Sequence, residues 1–191
     1  MPSPPSTRHG LLVLPYLGLH SYQNVDMAAY SPGARFGALS GGRLSHWLSL
    51  NGELTIDVSD IPHGSQEASE YYLDLAFSPL AHLVWGPVEL VAGPKVGFFR
   101  SKTSVSSSNA GVSGESSSLW GIAAGLNAGA FVPVSGVVEI GGLLSVEARD
   151  AREYCGTPAG GAQTCTTQEV YQSTTVLHTA TVVGATIAAL F

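Results

Sequence analysis

This sequence is short of charge. Asp, Glu, Lys and Arg make up 12% of its residues, about half the ~25% of an ordinary soluble domain. A surface built from so few charges does not face water all round. A membrane helix is missing too, because no uncharged apolar run reaches the ~18 residues one needs. The longest candidate, Val176 to Phe191, contains His178 and is rich in Val, Ile and Thr, which suit strands better than helices. Lys and Arg number 8 against 14 acidic residues, a formal net charge of −6, and they form no cluster along the chain; no nucleic-acid partner is expected on that ground. With two cysteines the chain is no multi-disulfide scaffold. Phosphate-loop, zinc-ligand and dinucleotide-binding spacings are absent, so no cofactor and no metal is expected.

What is present is glycine and alternation. Glycine supplies 23 of 191 residues, well above the usual ~7%. Leu48 to Val58 sets the pattern. Leu48, Leu50, Leu54, Ile56 and Val58 fall on one face of an extended strand, and Ser49, Asn51, Glu53, Thr55 and Asp57 fall on the other, because successive side chains of a strand alternate. A tilted membrane strand needs ~9–11 residues, against ~5–6 in an average globular strand, and this stretch has the longer span.

The pattern recurs along the chain. Residues 1–9 form a polar, proline-rich lead that is expected to be disordered, and residues 10–191 form one domain. Strands are expected over Gly10–Tyr22, Ala34–Leu44, Leu48–Val58, Tyr71–Leu80, Pro87–Arg100, Ser117–Val132 and Val137–Arg149, and from about Val170 to Phe191. Long connections at 23–33, 60–69, 101–116 and 150–168 alternate with short ones near 45, 83 and 134. This alternation predicts an all-β fold, an eight-stranded antiparallel up-and-down transmembrane β-barrel. Closure would satisfy every backbone donor and acceptor, which lipid cannot do. The lead shows no signal-peptide pattern; if the protein is exported, this sequence is expected to be the mature form.

Aromatic residues sort with the turns. Trp47, Trp85 and Phe131 stand beside short turns, and Tyr22, Tyr30, Tyr71 and Tyr171 beside long connections. Two such bands are the girdles expected at the two membrane interfaces. On this architecture the chain resembles the small eight-stranded bacterial outer-membrane barrels, such as the transmembrane domain of OmpA, OmpX and the OmpW-like proteins. The resemblance covers roughly residues 10–191. Its sharpest local feature is Phe191, preceded at alternate positions by Ala189, Ile187, Ala185 and Val183. In that family, a terminal aromatic with alternating apolar residues is the signal read by the outer-membrane assembly machinery. The resemblance implies location in the bacterial outer membrane, with outer-membrane lipid and that machinery as partners. It specifies no ligand for the outer loops.

Arg35, Arg43, Glu53, Asp57, Asp74, Glu89, Lys95, Glu139, Glu147 and Arg149 fall on the expected inner faces, and the outward positions carry almost no charge. An eight-stranded barrel is just wide enough for side chains to fill, and buried charges must pair. These residues are therefore expected to form a polar plug, with opposite signs on neighbouring strands and Arg35 or Arg43 as the partner of Glu53. The alternative is an ion or solute path along the same groups. Cys155 and Cys165 share one outer loop, and two cysteines so placed in an exported chain favour a disulfide. Nucleophilic catalysis needs a Ser, a His and an orienting third group within hydrogen-bond reach. None of His9, His20, His46, His63, His82 and His178 lies in such a motif; a closing seam of the first and last strands would allow His20 and His178 to approach, and these histidines read as polar lumen or rim residues. The expected protein is a non-enzymatic integral barrel without catalytic residues, serving membrane structure or recognition through four outer loops. A narrow channel or carrier for small solutes is the second reading, and a lipid-modifying barrel enzyme the third.

The loop alternation fixes a topology that chemistry can test. Cysteines placed at Ser107 and Ser135 should label from opposite sides of the membrane in intact cells. Labelling of both from outside would overturn the orientation.

Overall fold

The alternating segments join into one antiparallel sheet. The structure, a computed structural model, describes residues 11–22, 33–63, 66–106, 116–134, 138–158, 161–167 and 174–187. They form β1 (Leu11–Tyr22), β2 (Gly33–Ser45), β3 (Leu48–His63), β4 (Gln66–Trp85), β5 (Val88–Ser106), β6 (Ser116–Pro133), β7 (Val138–Thr157), β8 (Thr164–Thr167) and β9 (Thr174–Ile187). From β1 to β7 each strand pairs with the next, and β9 pairs with β7 on one side and β1 on the other. The pairings thus return to their start. Eight strands make the up-and-down ring, and β8 is a short extra strand paired to the outer end of β7. The β1–β9 pairings skip from Val13 to Tyr16, at Pro15, which has no N–H to donate.

Register sets the shape of the ring. Starting at Leu12, successive opposite positions are Gly41, Asn51 and Ser78, then Lys95, Gly125, Glu147, Val176 and finally Tyr22. The Ser78–Lys95 step lies between the pairs Phe77–Val96 and Ala81–Ala92, which share one register. The walk re-enters β1 ten residues further on, at 22 rather than 12. With strands ~4.8 Å apart, that stagger over eight strands gives a tilt of about 40° and a backbone radius of about 8 Å.

The ends of the strands differ from their sequence limits. β4 runs on to Trp85, which moves the turn expected near 83 to 86–87; there Gly86 has φ 60°, a conformation that glycine adopts without a Cβ clash. At the other end, β3 and β4 stay paired out to His63 opposite Gln66, so most of the 60–69 loop is ladder. β5 continues to Ser106, and the 150–168 loop is a hairpin of β7 and β8. Backbone pairing does not require apolar side chains. Where strands leave the membrane, Ser, Thr and Glu continue the ladder, and hydrophobic alternation takes them for loop. The lead at 1–9 lies outside the described residues, as do Tyr30, Tyr171, Ala189 and Phe191; Tyr22 and Ile187 are described as backbone only.

The faces are inverted relative to a soluble barrel. Leu54, Leu75, Phe98 and Leu126 are 49–64% exposed, while Glu53, Asp57, Lys95 and Glu147 are at most 2% exposed. Large apolar side chains cover the outside of the ring from β1 to β7, far beyond the few hundred Å² of apolar patch that a soluble monomer shows. A soluble lipocalin-like barrel would have the opposite arrangement. Arginine on the lipid face near mid-membrane costs roughly 2–4 kcal/mol. Leu54, opposite Ala38 and Leu75, is such a site, so Leu54→Arg should lower stability by that amount in a denaturant titration of barrel folded into vesicles. A near-neutral result would reverse the faces.

Candidate functional site

The inside of the ring is the candidate site, because all the buried charge is there. A radius of about 8 Å leaves room for side chains only. Long inward side chains therefore face glycine on the neighbouring wall. Tyr16 lies over Gly37 and Phe131 over Gly141, where an added Cβ would overlap the ring. Much of the glycine excess is this packing.

Four layers follow one another from the short turns outward. At the turn end, Arg43 pairs with Glu89; His82 reaches Glu89 through Nδ1 (2.7 Å) and Ser49 Oγ through Nε2 (2.7 Å). Above it is an apolar layer of Leu14, Leu39, Leu80, Val91, Phe131 and Leu143, each no more than 5% exposed. Next comes the charged centre, and over it Tyr72 and Phe99. Beyond these, at the outer ends of β5 to β8, is a pocket of about 360 Å³ lined by residues that include Thr103, Ser117, Tyr154 and Thr164.

The charged centre is bonded across the lumen. Glu53 accepts from Tyr16 Oη (2.5 Å), Lys95 Nζ (3.2 Å) and Asn127 Nδ2 (3.0 Å). Lys95 also meets Glu147 at 2.9 Å. Arg35 donates to Asp57 (3.3 Å) and Thr55 (3.2 Å). Arg149 contacts Asp57 (2.9 Å), Asp74 (2.7 Å) and Glu147 (2.6 Å), and its guanidinium sits 4.3 Å from the centroid of the Tyr72 ring. β3 and β7 are opposite each other in the ring, so the Asp57–Arg149 pair spans the whole diameter. Three cations meet four carboxylates, and neutral donors add to two of them: Tyr16 and Asn127 donate to Glu53, and Thr55 to Asp74. Charges removed from water are tolerable only with such partners.

Two sequence expectations need correction. Phe131 is not a girdle residue: it is 2% exposed, in the apolar layer, because its phase on β6 points it inward. The ion pairs also do not simply follow neighbouring strands. Directly opposite Glu53 stand Leu39 and Ala76. Its cations are Lys95, two strands away, and Arg35 at 3.7 Å; Arg43 belongs to the turn-end group. Glu139 is buried near the start of β7, away from the centre. Trp47 and Trp85 are exposed at the turns, and Tyr71 is exposed at the opposite end. Tyr16, Asn127 and the outward Trp120 are members that the sequence reading missed. Asn127 and Trp120 are in phase for their places, but β1 is apolar on both faces and its alternation hides Tyr16. His20 is opposite His178 in the β1–β9 register and contacts Ser59 Oγ at 2.6 Å.

Two arrangements have the residue types of chemical sites. Ser49, His82 and Glu89 stand in the order of a hydrolase triad, but Ser49 is 0% exposed, accepts the Asn51 amide at 2.8 Å, and lies on a strand whose amides are paired, which provides no oxyanion site. Glu153 adjoins Cys155 and Cys165, but those two sulfurs form a disulfide across the β7–β8 hairpin, which leaves no thiolate for a metal.

No family model matches the sequence, and neither does any curated protein. Solved structures do. The chain is similar to Neisserial surface protein A (13% identity, 93% of this chain and 97% of that one, TM-score 0.61). It is similar to a major outer membrane protein of Thermus thermophilus (12%, 92% and 100%, TM-score 0.64). It is also similar to Ail, the attachment invasion locus protein of Yersinia pestis (11%, 92% and 96%, TM-score 0.55). The chain has the fold of the small eight-stranded outer-membrane barrels.

Arg149 holds three carboxylates. Breaking a buried pair by removing one partner costs roughly 3–5 kcal/mol, so Arg149→Met should destabilise the folded barrel by about that much. Combining it with Asp57→Asn should recover part of the loss as coupling in a double-mutant cycle. A loss below ~1 kcal/mol would mean that water screens the centre.

Proposed function

We propose that this protein is a non-enzymatic, integral barrel of the bacterial outer membrane with a sealed lumen, and that it acts at the membrane surface through its outer hairpins, in membrane structure or in recognition. The observation that carries the reading is the cross-lumen network above the apolar cluster. An ion passing through would have to break pairs such as Asp57–Arg149 and Lys95–Glu147, then cross Leu14, Leu39, Leu80 and Phe131 without water. A hydrophobic constriction of that kind closes a pore by dewetting. The buried Ser49 supports the non-enzymatic part of the reading.

The names of two structural neighbours, a surface protein and an attachment invasion locus protein, support a role outside rather than through the barrel. The extended β3–β4, β5–β6 and β7–β8 hairpins are the parts available for it, and the Cys155–Cys165 bond stiffens the last of them. Outer-membrane lipid and the assembly machinery that inserts barrels are the partners this reading requires. A narrow channel is the rival function, and it makes the opposite prediction. In planar bilayers, with incorporation verified by labelling, the wild-type barrel should give no discrete conductance steps at low voltage. Stable steps that scale with salt would remove the sealed-lumen reading in favour of the channel.

A further inference from the structure

Among the described residues, Arg35, Arg43, Lys95 and Arg149 serve the lumen, and three other cations stand outside it: Arg100, Lys102 and Arg152. All three lie towards the outer ends of β5 and β7. Arg152 is held by Asp150 at 2.7 Å, and Glu153 accepts the Trp120 indole N–H at 2.7 Å. Arg100 and Lys102 make no ion pair with a described residue. They project from the same outward face of β5, about 7 Å apart along the strand. Arg100 lies opposite Leu73 and Trp120, and Lys102 opposite Tyr71 and Ser118. Tyr71 and Trp120 are 46% and 43% exposed, so an outward aromatic stands beside each cation.

A charge on the outward face is tolerated near the interface and not at mid-membrane, and outward Trp and Tyr mark the headgroup level. Two cations at that depth, in a chain whose net charge is −6, are a local reversal of sign. We propose that Arg100 and Lys102, framed by Tyr71 and Trp120, bind the phosphate of a lipid headgroup in the outer leaflet. The guanidinium fork takes two phosphate oxygens and the ammonium a third. The acyl chains then lie against Phe98 and Ile122, which are opposite each other one step further into the membrane on the same face. The inference rests on the membrane-barrel reading above.

Trp120 is the reporter, because Trp47 and Trp85 are at the turn end of the barrel. Barrel carrying Trp47→Phe and Trp85→Phe is folded into phosphatidylcholine vesicles. These hold a minor fraction of either dibrominated phosphatidic acid or dibrominated phosphatidylcholine, and quenching of Trp120 is measured. A cation near the membrane surface enriches an anionic lipid about fivefold, so the phosphatidic acid should quench at a several-fold lower fraction than the neutral lipid. High salt should narrow the difference. Arg100→Gln with Lys102→Gln should abolish the preference and leave quenching by the neutral lipid intact. Equal quenching by both lipids in the unsubstituted patch overturns the site. Displacement of the lipid by millimolar inorganic phosphate would assign the patch to a free anion and overturns it as well. No quenching by either lipid would instead remove the membrane reading on which the site depends.

Discussion

Every backbone N–H and C=O that faces lipid must find a partner within the protein, and this barrel meets that demand by closing its ladder. In hydrocarbon an unpaired amide costs several kcal/mol and no water can relieve it. An open sheet would leave two edges; the pairing of β9 with both β7 and β1 leaves none. Closure with a stagger of ten residues then dictates the tilt, and tilt and strand number dictate the radius. Strands must be long because they cross obliquely, and β4 and β7 reach 20 residues because their ladders also continue beyond the membrane.

The contents of the lumen follow from that radius. A ring of about 8 Å cannot hold a water column beside its side chains, so the inward positions interdigitate as a core does. They differ from a core in composition because the solvent outside is apolar: apolar residues gain nothing by turning inward there. Charge collects inside and is neutralised there, by Asp57 with Arg149 across the diameter and by Lys95 with Glu53 and Glu147 two strands to either side. These bonds tie strands that are far apart in the ring. They oppose the flattening that a short-walled cylinder would otherwise undergo. The sealed lumen proposed above would leave the outer hairpins and the lipid-facing surface as the places where the molecule meets anything else.

Much of this is legible in the residues and some is not. Period-two alternation in Leu48–Val58 assigns Glu53 and Leu54 to opposite faces whatever the neighbours do. Long and short connections order the strands, and low charge with no apolar helix points to a sheet facing lipid. The extent of the outer loops is not legible, because polar side chains in β3, β4 and β7 conceal a ladder that only the backbone sustains. Phe131 adjoins a turn and so suggests the girdle, although its phase on β6 with Asn127 and Ala123 turns it inward.

Alternation therefore determined, without help from the fold, the eight strands of the ring, the inward placement of charges such as Glu53, Lys95 and Glu147, and which solvent lies outside, since these depend only on each residue's neighbours along the chain. Who pairs with whom was decided by tertiary structure. Arg149 meets Asp57 across 92 positions of sequence, Asn127 meets Glu53 across 74, and Arg100 gains Trp120 as a neighbour only through the β5–β6 register. The physical reason is the stagger: it is a property of the closed ring, set by the sum of eight registers, and no single strand contains it.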